Sequence, residues 1–208
     1  MSYQDYGIGA TTIGVRGPDY VILASEKRVS YSGFVMSKAG KKVFKITDRI
    51  GIACAGLFAD MQAISKLMHA NIKYYELVTR KPMTVKTAAR LLAAILYENK
   101  IFPFISETLV GGIDHDNKPR LYVMDALGSL IEDDYAALGS GAPIAVGVLE
   151  AEYNKQLEYE KAYNLVLRAM KAALERDPIS GDGIDILAFR VKAPGKIEVH
   201  EESRIIQL

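Results

Sequence analysis

The chain has few covalent or metal-binding means of holding itself together. Its 208 residues include one cysteine, Cys54, so no internal disulfide can form, and a lone thiol fits a reducing cytoplasm. The three histidines, His69, His115 and His200, lie scattered without ligand-like spacing, which argues against a structural zinc site, and no cofactor motif stands out. A dominant charge is also missing. There are 26 Lys and Arg against 25 Asp and Glu, and a net charge of +1 argues against nucleic acid or an anionic membrane as a partner. No apolar run approaches the ~20 residues needed to span a bilayer. The opening MSYQDYGIG lacks the basic and apolar regions of a secretory signal. What is present is a globular composition, 50% apolar and 25% charged. A chain of this length buries roughly 70% of the surface its unfolded form exposes.

Residue periodicity gives the order of elements. Ala10 to Arg16 and Tyr20 to Ser25 are rich in Thr, Ile and Val and flank the turn Gly17, Pro18, Asp19. A second hairpin joins Lys42 to Ile46 with Ile50 to Ala55. From Leu57 to Arg80, Met61, Ile64, Leu67, Met68 and Ile72 recur at helical spacing, and Thr84 opens another helix after Pro82. Strands are expected over Thr108 to Ile113, Leu121 to Asp125, Leu130 to Asp133 and Tyr135 to Leu138. Helices follow from Pro143 to Tyr153 and from Glu160 to Arg176, then strands over Asp185 to Val191 and Lys196 to His200. Strands in antiparallel runs and helices in pairs favour an α+β fold with sheets sandwiched between helical layers. No repeat, low-complexity tract or linker interrupts it, so one domain is the economical reading.

Several polar residues and small-residue junctions sit where a plain core would not want them. Glu26, Lys27 and Arg28 end an apolar strand, and Lys41 and Lys42 open another. The junction ACAG, ending in Gly56, could expose a backbone amide at a helix start. GSGAP contains Ser140, and RDPISGDG contains Asp177 and Ser180. Each has a bland alternative. Charges at strand ends are usually solvated, small-residue junctions usually cap helices, and Cys54 in an apolar strand is more often core than nucleophile. GSGAP resembles a phosphate cradle but lacks the lysine of a P-loop.

Taken in order, GATTIGV, LASEKRVS, KAGKKVFKI, IACAGLFADMQ, LVGGID, SLIEDDYAALGSGAP and ERDPISGDGID resemble the β subunits of archaeal 20S proteasomes. The resemblance runs from about Gly9 to Val191, nearly the whole chain. It implies the four-layer αββα sandwich of the N-terminal nucleophile hydrolases. It also implies a threonine peptidase whose nucleophile is freed when a short propeptide is cut after a glycine. Residues 1–9 have the length and the terminal Gly9 of such a leader, which leaves 10–208 as the β-type domain.

At the nucleophile position stands Ala10. Lys42 follows it by 32 positions, the spacing that the resemblance implies between nucleophile and active-site lysine. Counting from Thr11 breaks that spacing by one residue, which turns the side chain to the opposite face of the strand. By resemblance, Lys42 would depress the threonine hydroxyl's pKa and Glu26 would orient Lys42. Ser140, Asp177 and Ser180 would hold the terminal amine and its water, the Gly56 amide would form the oxyanion hole, and Arg28 would support the cluster. Val29, Cys54 and Phe58 match the substrate pocket wall and imply cleavage after apolar residues.

With a methyl at residue 10, neither self-cleavage after Gly9 nor peptide hydrolysis has its nucleophile. The chain is therefore expected to be inactive and unprocessed. Ala10 reads either as deliberate inactivation or as a naturally silent subunit, and the retention of Glu26, Lys42, Asp177 and Ser180 favours the first. The implied partners are other β subunits in a heptameric ring, a second β ring, α subunits, a regulatory ATPase acting through the α ring, and unfolded polypeptide. The apolar residues along Leu57 to Tyr75 and Thr84 to Phe102 exceed one helix face, consistent with packing against neighbouring rings or with a plain core. An α-type subunit would carry an N-terminal helix, for which nine glycine-punctuated residues are too short. A single-ring bacterial-type peptidase would start at its threonine.

Overall fold

A computed structural model of the protein describes residues 9–31 and 33–206. The expected leader therefore lies, up to residue 8, outside the described residues. The strands and helices run in chain order as β1 (Thr11–Arg16), β2 (Tyr20–Glu26), β3 (Val29–Tyr31), β4 (Phe34–Ser37), β5 (Val43–Lys45), β6 (Ile50–Gly56), α1 (Phe58–Thr79), α2 (Val85–Glu98), β7 (Ser106–Ile113), β8 (Pro119–Met124), β9 (Leu130–Glu132), β10 (Tyr135–Gly139), α3 (Ala142–Glu152), α4 (Tyr159–Arg176), β11 (Gly183–Ala193) and β12 (Lys196–Ile205). They form two five-stranded antiparallel sheets, ordered β10-β1-β2-β11-β12 and β5-β6-β7-β8-β9, and a separate β3-β4 ribbon.

The strand period of two sorts side chains into the layers between these sheets and the helices. On β2, Tyr20, Ile22 and Ala24 join Leu165, Val166, Ala169 and Met170 of α4, whereas Val21 and Leu23 turn toward the other sheet. On β6, Ile50, Ile52 and Cys54 pack with Met61, Ile64 and Met68 of α1 and Leu92 of α2, while Ala53 faces inward. Leu109, Leu121, Leu187 and Phe189 complete the layer between the sheets. The order is helices, sheet, sheet, helices, which is the αββα arrangement the sequence implies. Every residue of β2 is buried, so it reads as a continuous apolar run that ends at Glu26.

Local signals set the helix ends. Thr84 caps α2 by accepting a hydrogen bond from the Thr87 amide, and α1 stops at Arg80 in the left-handed conformation, φ 57°. Proline in the first turn of α3 gives up an amide that would lack a partner there. Two differences from the sequence reading concern exposed strands. The β3-β4 ribbon exposes the apolar Tyr31, Phe34 and Met36 by more than half, so its sequence lacks the apolar-in, polar-out pattern that marks a half-buried strand. β12 continues past His200 to Ile205 because it is an edge strand whose charged residues face solvent. The outer faces also leave Tyr74, Leu77 and Val78 of α1 exposed, together with Tyr97, Ile101 and Phe102 around the end of α2. Among the described residues no helix is long and apolar enough to cross a membrane.

Glu202 ties β12 to α4. Its carboxylate accepts hydrogen bonds from Arg204 and from the Tyr163 hydroxyl, and these hold its pKa down at about 2, against an ordinary 4.5. The depressed pKa contributes stability above the unfolded value and loses it as pH falls through the folded one. Glu202→Gln should therefore flatten the loss of stability between pH 4.5 and 2 by about 1 kcal/mol, after discounting for partial exposure. Urea midpoints at pH 6 and pH 3 would measure it.

Candidate active site

The end of β2, the start of β1 and the loop between α4 and β11 converge on one corner of the sandwich. Charges at strand ends are ordinarily solvated, but Glu26 has no accessible surface and Lys42 has 2%. The Lys42 ammonium donates to Glu26 Oε1 and, at 2.6 Å, to the Arg28 carbonyl. The second oxygen, Glu26 Oε2, accepts from the Arg28 amide at 2.7 Å and from the Gly181 amide at 3.0 Å. Burial pushes the Glu26 carboxyl above the usual carboxylate range, against the opposing pull of Lys42 and the two amides. Each charged atom has a partner, without which so dry a pair would not persist.

A second network lies beside residue 10. Asp177, 6% exposed, accepts from Ser140 Oγ and from Ser180 Oγ through its Oδ2, both at 2.6 Å. Ser140 Oγ also approaches the Ala10 carbonyl at 3.3 Å, and Ser180 Oγ lies 2.8 Å from Thr11 Oγ1. Thr12 Oγ1 donates to the Cys54 carbonyl at 2.9 Å and lies 3.0 Å from Ser25 Oγ. Thr11 and Thr12 are fully buried, so both hydroxyls beside Ala10 are already committed to the fold. Gly139 closes the corner. Its φ is 88°, and a Cβ there would come within 2.1 Å of the Ala10 carbonyl oxygen.

A cavity of about 210 Å³ opens on this corner. Gly9, Val29, Lys42, Gly56 and Phe58 line it, so the structure gathers residues from β3, β6 and α1 around the position that precedes Ala10. Gly56 ends β6 at φ 136°, and a Cβ there would fall 2.2 Å from the Ile105 carbonyl oxygen, so only glycine fits beside the start of α1. Cys54 is placed otherwise. It has no accessible surface and packs beneath α1 and α2 with Met61 and Ile64, so it forms no part of an open wall. β6 points Cys54 at the helices, the face opposite to Ala53.

Similarity to known proteins agrees with the αββα order. A family model described as "Proteasome subunit" matches residues 7–188. The chain belongs to the proteasome subunit family. It is 58% identical over 203 residues to proteasome subunit beta 1 of Hyperthermus butylicus, covering 98% of each chain. It is 51% identical over 183 residues to proteasome subunit beta 1 of Ignicoccus hospitalis, with 88% of this chain and 91% of that one covered. It is also 50% identical over 184 residues to proteasome subunit beta 2 of Pyrobaculum neutrophilum, covering 88% and 90%. The chain is thus a β-type subunit of the proteasome core particle, from a family of proteases that assemble with other proteasome subunits in rings.

In this β subunit three participants in the corner escaped the sequence reading: Thr11 as a partner of Ser180, the Gly181 amide on Glu26, and Asp182 on Arg28. The motif SGDG marks the loop but not which of its atoms turn inward. Two measurements check the placements. Lys42→Met strands a buried carboxylate and should destabilise the fold by about 3–5 kcal/mol, and adding Glu26→Gln should recover part of that, read from denaturant midpoints. Burial pushes the Cys54 thiol up to about 12, so at pH 8 it should resist a thiol reagent until the chain is unfolded.

Proposed function

We propose that residue 10 is the nucleophile position of a threonine-type endopeptidase centre and that Ala10 leaves this β subunit catalytically inactive and its leader, residues 1–9, attached to the unit formed by 10–208. The observation that carries the reading is the complete pair of networks around a methyl group. Glu26 and Lys42 form one, and Ser140, Asp177 and Ser180 the other, with Ala10 held between β10 and the loop after α4.

The chemistry explains why those groups would be kept together. A threonine hydroxyl at residue 10 would add to a peptide carbonyl while its proton passed, through water, to the amine released from Gly9. Lys42 would favour the alkoxide, and Asp177 with Ser140 and Ser180 would fix the amine and the water. The Gly56 amide would take the developing oxyanion, a contact worth roughly 3 kcal/mol. Val29 and Phe58 would seat an apolar side chain of an unfolded polypeptide. No metal or cofactor enters this scheme.

The partners in this reading are other β subunits in a heptameric ring, a second β ring and α rings that receive a regulatory ATPase, all in the cytoplasm. A second reading is a naturally silent β subunit that serves as a structural ring component beside active ones.

The test is Ala10→Thr coexpressed with an α subunit. Intact mass should fall by the nine residues Met1–Gly9, and a fluorogenic peptide with an apolar residue before the scissile bond should be hydrolysed. The unaltered chain should do neither. Leader loss from the unaltered chain, or an Ala10→Thr chain that assembles and stays silent, would sink the placement.

A further inference from the structure

The loop from Asp177 to Gly183 holds one acid that the scheme above does not use. Asp182 sits at φ 68°, a left-handed conformation uncommon for a residue with a side chain. Its Oδ2 accepts from Arg28 Nε at 2.8 Å, and Lys38 lies 3.5 Å from its other oxygen. The Arg28 guanidinium beside it holds the Asp182 carboxyl below the usual carboxylate range, so it stays ionised. The same guanidinium donates to the Pro178 carbonyl at 2.9 Å and lies against Gly181, where a Cβ would come within 2.3 Å of its terminal nitrogen.

Arg28 is also the residue whose main chain holds the charged pair at both ends. Its amide donates to Glu26 Oε2, and its carbonyl accepts from Lys42 Nζ. Fixing the Arg28 side chain therefore fixes two of the contacts that aim Lys42. The loop that carries Asp182 carries Asp177 and Ser180 as well, and they hold the Ala10 and Thr11 side of the corner.

We infer that Asp182 is a positioning residue: by clamping Arg28 to the α4-β11 loop, it sets the Glu26-Lys42 pair in register with the Asp177-Ser180 network. Two short polar constellations from different parts of the chain meet across this clamp. The left-handed backbone at residue 182 turns its carboxylate toward Arg28 while the neighbouring Gly181 amide turns toward Glu26. The inference rests on residue 10 being the nucleophile position only for its catalytic consequence, whereas the geometric consequence stands apart from that reading.

The test uses Asp182→Asn, which keeps the size of the side chain and tolerance for the left-handed conformation but removes the charge. In the unaltered Ala10 chain, amide hydrogen exchange at Arg28 and Gly181 should speed by at least about tenfold, with the amides of Leu187 and Val110 in the sheet core unchanged. In the Ala10→Thr chain assembled with an α subunit, the substitution should lower kcat about tenfold and leave KM within about twofold, since the apolar cavity is untouched. Asp182→Glu, which restores the charge, should recover a large part of kcat. Unchanged exchange at Arg28 and Gly181, or unchanged kcat in an active Ala10→Thr chain, overturns the role of Asp182. An Ala10→Thr chain that is itself silent refutes the nucleophile placement and leaves the exchange result to decide the clamp.

Discussion

A lysine ammonium and a glutamate carboxylate, both withdrawn from water, set the terms for this corner of the molecule. A buried charge without partners costs several kcal/mol, so the chain around Glu26 and Lys42 is arranged to supply donors and acceptors. The Arg28 amide and the Gly181 amide complete the carboxylate, and the Arg28 carbonyl completes the ammonium. That need brings together the end of β2, the segment before β5 and the loop after α4, which are far apart in sequence. The apolar layers do the rest: β2 is buried along its whole length, so its last residue emerges at a fixed place in the sandwich.

Much of the architecture was legible because burial on one or both faces leaves a period in the sequence. The α1 stripe of Met61, Ile64, Met68 and Ile72 and the Thr84 cap reappear in the structure as the buried face and the start of a helix. The β3-β4 ribbon was not legible, since its exposed positions carry the apolar Phe34 and Met36, so the sequence shows no alternation of apolar with polar residues. The part of β12 beyond His200 hid for a related reason. An edge strand satisfies its hydrogen bonds on one side only, so Glu201, Glu202 and Arg204 resemble a solvated tail.

The corner itself was readable only in part. Glu26 and Lys42 stood out as strand-end charges and Ser140, Asp177 and Ser180 lay in polar or small-residue loops, but only resemblance picked them out and joined them. Nothing in a linear reading separates a solvated strand-end charge from one with no accessible surface. Cys54 shows the converse limit: alternation along β6 points it at the helices, a direction that depends on which face of the sheet each layer covers. The roles of Thr11, Gly181 and Asp182 depend on side-chain and amide directions within one tight loop, and these follow from the fold as a whole.

The aromatic and aliphatic groups left in water at the far ends of α1 and α2 have a thermal corollary. Removing such surface from water is driven by entropy near room temperature and is accompanied by a drop in heat capacity. Any contact that covered the exposed Tyr74, Leu77, Val78, Ile101 and Phe102 would accordingly weaken on chilling. A partner seated on those helices would be held less tightly in the cold than at room temperature.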